Sequence, residues 1–251
     1  MIKGTFLGTG TSQGVPVIAC NCEVCTSLDY RDQRLRTSFY ASIEGVNIVI
    51  DTGPDFRTQM LRERINKVDA VLFTHEHKDH TAGLDDVRAY NFVHDMDMPL
   101  YGEERVLEQL KVEFAYAFAA TKYPGVPRLT PITITEDVFE VKGIEIQPVR
   151  GLHYKLPVLG FRIGDMAYLT DMNHIVEEEK LQNLEVLVIN ALRKEEHISH
   201  FTLDQALEVI ERLQPKQAYL THLSHLMGKH KDIVLPENVA IAYDGLQIEI
   251  D

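Results

Sequence analysis

The densest chemistry in the sequence lies in seven residues, Thr74-His75-Glu76-His77-Lys78-Asp79-His80. Three imidazoles and the Asp79 carboxylate fall within six positions. Such nitrogen and oxygen donors suit zinc, manganese or iron. There are more of them than one tetrahedral ion takes, so the cluster points to two ions. Two ions about 3.5–4 Å apart can bridge a water, lower its pKa and clamp both oxygens of a displacement. A solvated polar loop is the competing reading. With 11 His in 251 residues, this spacing rarely arises by chance.

A second cluster is Cys20, Cys22 and Cys25, and the chain has no other cysteine. An odd count in one short stretch is a poor disulfide framework. Three thiolates need a fourth ligand to close a tetrahedral zinc site. His225, in Thr221-His222-Leu223-Ser224-His225, is the preferred fourth, and His230 competes. Buried reduced cysteines are the plain alternative.

The elements that must position these groups read as strand, loop and helix in repetition. Ile2–Leu7 runs into a Gly-rich loop, 8–14. Ser38–Ile43, Val46–Ile50 and Val68–Phe73 read as strands, and β-branched runs of this kind belong in buried sheets. The histidine cluster thus sits where a strand ends. Helices are expected at Ala82–Phe92 and Glu103–Phe118. Short strands follow at Ile132–Ile134, Ile144–Val149, Val158–Ile163, Met166–Leu169 and Val186–Ile189. Thr202 with Gln205 makes a capping box for a helix over Thr202–Leu213, which Pro215 stops. Gln217–Leu220, Val239–Ala242 and Leu246–Ile250 close with strands. The aromatic, Pro/Gly-rich stretch 116–127 reads as a loop packed on the core, with a lid or pocket wall as the functional alternative. One domain over 1–251 is expected, with sheets packed together and covered by helices.

His75-x-His77-x-Asp79-His80 resembles the signature of the metallo-β-lactamase superfamily, an α/β fold built as a four-layered αββα sandwich. The resemblance implies that His75, His77 and His153 hold one ion. Asp79, His80 and His222 would hold the other, with Asp171 bridging. His153, Asp171 and His222 each stand at a strand end in the sequence reading. Position 77 is His rather than the Glu of the flavin-linked di-iron branch, which favours hydrolysis over redox chemistry. Asp51, in Asp51-Thr52-Gly53, would be a carboxylate beneath the loop that orients ligands. A plain turn residue is the alternative, and an aspartic protease would need two such motifs.

Two further stretches are more specific. They are Gly8-Thr9-Gly10-Thr11-Ser12-Gln13-Gly14-Val15-Pro16 with the cysteines, and Leu220-Thr221-His222-Leu223-Ser224-His225. Together they resemble the phosphoribosyl 1,2-cyclic phosphate phosphodiesterase group of phosphonate catabolism, over nearly the whole chain. That implies two catalytic divalent ions, zinc or manganese, and one structural zinc in the loop around 8–36. It implies hydrolysis of small or cyclic phosphodiesters by a hydroxide bridging the metals. It also implies a histidine acid just before the last helix, where both His197 and His200 stand. His200 is preferred because it precedes the cap Thr202 closely. Of the nearby cations, Arg57, Arg88, Arg150, Lys155, Arg162 and Arg193 could hold further phosphates, though solvated surface is the commoner role.

Composition narrows the partners. The formal charge is −13, from 25 Lys and Arg against 38 Asp and Glu. That balance disfavours extended nucleic acid, whose backbone needs fields of Lys and Arg. No run of about 18 apolar residues is present to span a bilayer. The start shows no apolar signal segment, so a cytoplasmic protein is expected. The expected partner is a small-molecule phosphodiester, with a homodimer left open. Rival readings are hydrolysis of thioesters, lactams or RNA 3′ ends on the same fold, and a non-enzymatic metal-binding module. Seven donors at strand ends argue against the last.

Overall fold

The protein is described here by a computed structural model covering residues 1–250. Fifteen strands and six α-helices alternate along these residues. β1 (Ile2–Gly8), β2 (Ser38–Ile43), β3 (Val46–Ile50), β4 (Ala70–Leu72), β5 (Met98–Gly102) and β6 (Leu129–Thr133) belong to one sheet. The last strand, β15 (Gln247–Ile250), joins its free edge, so the order is β15-β1-β2-β3-β4-β5-β6. β7 (Phe139–Val141), β8 (Ile144–His153), β9 (Leu156–Ile163), β10 (Met166–Tyr168), β11 (His174–Ile175), β12 (Val186–Asn190), β13 (Gln217–Thr221) and β14 (Val239–Ile241) form the second sheet. Its order is β11-β8-β9-β10-β12-β13-β14, with β7 on β8.

The helices are α1 (Phe56–Arg62), α2 (Lys78–Thr81), α3 (Arg88–His94), α4 (Glu104–Glu113), α5 (Ala115–Phe118) and α6 (Leu203–Leu213). Three apolar clusters show how they stack. Ile48, Ile50, Phe39, Phe161, Tyr168 and Val188 fill the space between the sheets. Val49, Val71 and Phe73 pack instead with Phe56, Leu107 and Leu110 beneath α1 and α4. Leu187 and Ile189 pack with Leu203, Ala206 and Ile210 of α6. The period-2 alternation of β3 and β12 thus feeds two interfaces each, because both faces of both sheets are covered. Three interfaces make four layers, αββα, which is the metallo-β-lactamase fold.

Several elements differ from the sequence expectation. The helix expected at Ala82–Phe92 is a 3₁₀ turn, Leu84–Val87, followed by α3. The helix expected at Glu103–Phe118 breaks at Phe114, whose ring is buried in the core. The strand expected at Ile132–Ile134 begins earlier, as β6. α1 and β5 were not anticipated: α1 makes only two turns, and β5 contains Pro99. The capping box is present. Thr202 accepts from the Gln205 N–H, and the Gln205 side chain accepts from the Thr202 N–H.

The strand directions place the site. β3 to β6 run parallel, as do β10, β12, β13 and β14. In such sheets ligands bind beyond the carboxyl ends of the strands. Asp51 follows β3, the histidine loop follows β4, Asp171 follows β10 and His222 follows β13. His153 closes the antiparallel β8.

Candidate metal centre

Asp171 is the hub. Its Oδ1 lies 2.8 Å from His222 Nε2. Its Oδ2 lies 3.4 Å from His80 Nε2, 3.5 Å from His200 Nε2 and 3.8 Å from His75 Nε2. Asp79 Oδ2 lies 3.3 Å from His80 Nε2 and 3.9 Å from His222 Nε2. His75 Nε2 and His77 Nδ1 stand 3.0 Å apart. Three groups of donor atoms close enough to share an ion follow: Asp79, His80, Asp171 and His222; His75, His77 and Asp171; His153, Asp171 and His200. The structure thus brings together all seven donors of the expected pair of sites. His153 differs in detail. Its ring lies beside His77, with centroids 5.1 Å apart, yet its donor atom groups with His200 rather than with His75 and His77.

Neighbouring groups select which nitrogen faces inward. His80 Nδ1–H donates to Asp51 Oδ2 at 2.7 Å, leaving Nε2 toward the cluster. Asp51 is fully buried and also accepts from the Thr74 N–H and hydroxyl, at 2.9 and 2.8 Å. His153 Nδ1–H donates to the Ser199 carbonyl at 2.9 Å. Orientation by such partners is what metal-ligating imidazoles require. Asp51-Thr52-Gly53 also packs directly under the loop. A Cβ on Gly53 would stand 2.1 Å from the Asp79 carbonyl oxygen, so only glycine fits. Asp51, Asp171 and His222 adopt left-handed backbone, with φ of 63°, 56° and 56°. Such conformations in non-glycine residues gather at functional sites.

The electrostatics are those of mutually charged neighbours. Burial raises the Asp171 carboxyl, but His222 and His80 outweigh it and hold it well below the carboxylate range. Asp79 is lowered likewise, with burial opposed by His80 and His222. Burial lowers His80 and His222. The carboxylates outweigh it, lifting His80 well above its ordinary value and His222 to about 9. His75 and His153 are lowered, by burial first.

Divalent ions fit these residues. His80 Nε2 is buried without a hydrogen-bond partner, and His222 Nε2 faces only the carboxylates of Asp171 and Asp79. Leaving a buried polar atom unpaired costs roughly 1–3 kcal/mol. Cations among the nitrogens and carboxylates would satisfy them together.

The cysteine loop carries the second cluster. Sγ of Cys20, Cys22 and Cys25 lie 3.3, 3.3 and 3.5 Å from His225 Nδ1. A tetrahedral zinc with Zn–S of about 2.3 Å and Zn–N of about 2.0 Å sets sulfur and nitrogen about 3.5 Å apart. The Cys25 N–H, then His225, lower the Cys22 thiol to about 6, while burial pushes Cys25 up to about 11. His230 lies elsewhere. Its N–H donates to Asp32 Oδ1 at 2.7 Å, and its ring packs on Tyr243.

Family comparison agrees with the fold. A model of the β-lactamase superfamily domain matches residues 46–223. The protein named octanoyltransferase from Porphyromonas gingivalis is 42% identical over 253 residues, covering 98% of this chain and 51% of its own length. This chain belongs to the metallo-β-lactamase superfamily. It spans about half the length of the curated relatives it matches. A crystal structure described as a new diphosphatase from the PhnP family is 39% identical, with a TM-score of 0.93 over 100% of this chain and 98% of that one. Zinc-bound PqqB from Methylobacterium extorquens shares the fold, at 16% identity and a TM-score of 0.79 over 99% of this chain and 100% of that one. Superfamily membership implies divalent metal ions. No helix among the described residues is long and apolar enough to cross a membrane.

The two candidate acids are placed differently. His200 is buried, and its ring stacks on His222 with centroids 5.0 Å apart. His197 lies behind it, Nδ1 to Nδ1 at 3.1 Å, and is part-exposed. A cavity of about 330 Å³ opens beside the cluster, lined by His77, His153, Tyr154, Lys155, Leu156, Ile198 and Ser199. No residue of 116–127 lines it. Most of the cations considered above are engaged by the protein's own acceptors. Arg88 pairs with Asp85, and Arg150 with Glu103 and Glu136. Arg162 and Arg193 donate to carbonyls. Arg57 lines a different cavity. Lys155 alone of the six reaches this one, and it lies over the Tyr154 ring. The sequence reading passed over the Ser199 carbonyl and Thr74, since neither residue type announces a role toward histidine.

Proposed function

We propose that this protein is a metal-dependent phosphodiesterase acting on small or cyclic phosphodiesters. The observation that carries this reading is the whole-chain likeness, at 39% identity, to a diphosphatase of the PhnP family. His75, His77 and His153 would hold one divalent ion, zinc or manganese, and Asp79, His80 and His222 a second, with Asp171 shared. When bound, the ions neutralise charge on the substrate oxygens and activate a water for attack on phosphorus.

The chain's own groups supply the rest. Asp51 holds His80 through Nδ1, and the Thr74 hydroxyl oxygen, 3.0 Å from His75 Nδ1, holds His75 in the same way, so that both rings present Nε2 to the cluster. His200 presents Nε2 to the cluster, where it can give its proton to the departing oxygen. Burial lowers His200, and Asp171 partly offsets that; an anionic substrate beside Nε2 favours the protonated form further. His197 contacts His200 rather than the cluster and would act through it. Cys20, Cys22, Cys25 and His225 would hold a structural zinc. The acidic balance suits a small substrate held by metals rather than a polyanion held by a basic surface.

A second reading is hydrolysis of acyl thioesters. It is favoured by the relative named octanoyltransferase and by the apolar wall of Tyr154, Leu156 and Ile198 beside His153. One experiment separates the two. Metal-reconstituted protein is assayed on bis-p-nitrophenyl phosphate and on an S-octanoyl thioester. Turnover of the diester with an inert thioester is expected; the reverse would replace the first reading with the second.

A further inference from the structure

The histidine loop alternates. His75, His77 and Asp79 turn into the cluster, whereas Glu76 and Lys78 turn outward onto α4. Arg105, in the first turn of α4, pairs with Glu76. Glu113, its last residue, lies 2.7 Å from Lys78 Nζ. One helix therefore meets the loop at two points with opposite charges.

The two contacts are unequal. The Lys78 side chain is 68% exposed, so its pair is screened by water. Arg105 is less exposed and has more partners. Its guanidinium pairs with Glu76, donates to the Pro157 carbonyl, and meets Glu103 Oε2 at 3.1 Å. Glu103 in turn holds Arg150 Nη1 at 3.1 Å. Pro157 lies on β9 and Arg150 on β8, either side of His153. One planar fork thus joins the loop carrying His75 and His77 to the hairpin carrying His153. Lysine, a single point charge, could not span three partners at fixed angles.

We propose that Arg105 is a positioning residue that sets the separation of the His75–His77 pair from His153, and so the affinity of the ion these three would hold. This rests on the metal reading above. A Glu or Arg lying outside the donor set can tune a site in this way because outer partners change metal affinity by roughly 10–100-fold.

The test uses the full chain, freed of metal and titrated with Mn²⁺, which thiolates bind poorly. Uptake is followed by calorimetry and electron paramagnetic resonance, beside the melting temperature of the metal-free protein. Arg105→Ala should weaken one of two manganese sites by roughly 10-fold or more and leave the other within about threefold. Arg105→Lys should recover part of the loss, and Lys78→Ala should bind as wild type. If Arg105→Ala does not fold, Glu76→Gln cuts the same contact from the other side, with the same loss expected. Wild-type affinity at both sites in the folded variant would overturn the proposal. So would equal weakening of both sites together with a collapsed metal-free melting temperature, the mark of a merely structural contact. If wild type takes up no manganese that His77→Ala removes, the metal reading itself fails, which is a different outcome from either.

Discussion

Two clusters of metal-type donors lie close along the chain, His222 in one and His225 in the other, and they are built in opposite ways. The Asp171 cluster draws its donors from the ends of β4, β8, β10 and β13, anchored in both sheets. His75, His80, Asp171 and His222 are all buried. The cysteine cluster draws three of four donors from one loop between β1 and β2, and its thiols are only half-buried. That loop contains a single 3₁₀ turn, Tyr30–Asp32; within it Gly10 bridges Arg36 and Val15 bridges Arg34, and it is held to the rest of the chain by the Gly10–Leu223 bridge, by the Thr9 and Leu35 N–H groups on Asp244 and by Arg36 on Asp55. The first cluster is assembled by the two sheets themselves. The second would draw its three thiols and His225 together around the proposed zinc, as small cysteine sites generally do.

This contrast can be broken by substitution. Asp171 belongs to every donor group of the buried cluster, so Asp171→Ala should have the largest effect. Turnover should fall by on the order of 10³-fold or more, with circular dichroism of the sandwich preserved. A variant that keeps near-normal turnover would remove Asp171 from its central place.

His200→Ala tests the same cluster one step further out. A loss of roughly 100-fold on a poor leaving group is expected, much smaller on p-nitrophenolate, with metal content unchanged. His197→Ala should show only a few-fold effect. The opposite ranking would move the acid to His197.

Cys22→Ser addresses the loop. Its melting temperature should fall by about 4–10 °C, corresponding to roughly 2–3 kcal/mol in a chain of this size, while turnover changes a few-fold at most. A large loss of turnover at unchanged melting temperature would mean that the cysteine cluster is no structural site.

The smallest effect concerns protons. Cys25, pushed up to about 11 by burial, holds its proton at neutral pH, and a thiolate is needed to bind zinc. Zinc uptake by the loop should therefore release a proton, and affinity should fall by about tenfold per pH unit as pH drops. His222, raised to about 9, is protonated at neutral pH for the opposite reason, attraction to Asp171. Uptake at the buried cluster should release its proton as well. Titrations in two buffers of different ionisation heat would count both.

Much of the buried cluster was legible in the sequence because each donor follows a β-branched or apolar run, and strand ends are where such side chains can converge. Apolar strand runs implied sheets packed together under helices, and the four-layer order came from the resemblance of the histidine motif to its superfamily. His225 over His230 was a matter of position that spacing alone left open. Arg105 was not legible: one arginine behind a helix start carries no chemical signature until its partners on β9 and in the loop are known. α1 and β5 escaped because a two-turn helix and a strand holding Pro99 give too little periodicity. The break at Phe114 reflects tertiary packing, since the local sequence around it could continue a helix.

The left-handed backbone at Asp51, Asp171 and His222 has an evolutionary corollary. Each such residue carries strain of roughly 1–3 kcal/mol that a glycine there would relieve. A lineage that kept this sandwich but abandoned its chemistry would gain stability by replacing these three. Glycine at all three positions in an otherwise similar chain would therefore mark a descendant that has become a scaffold.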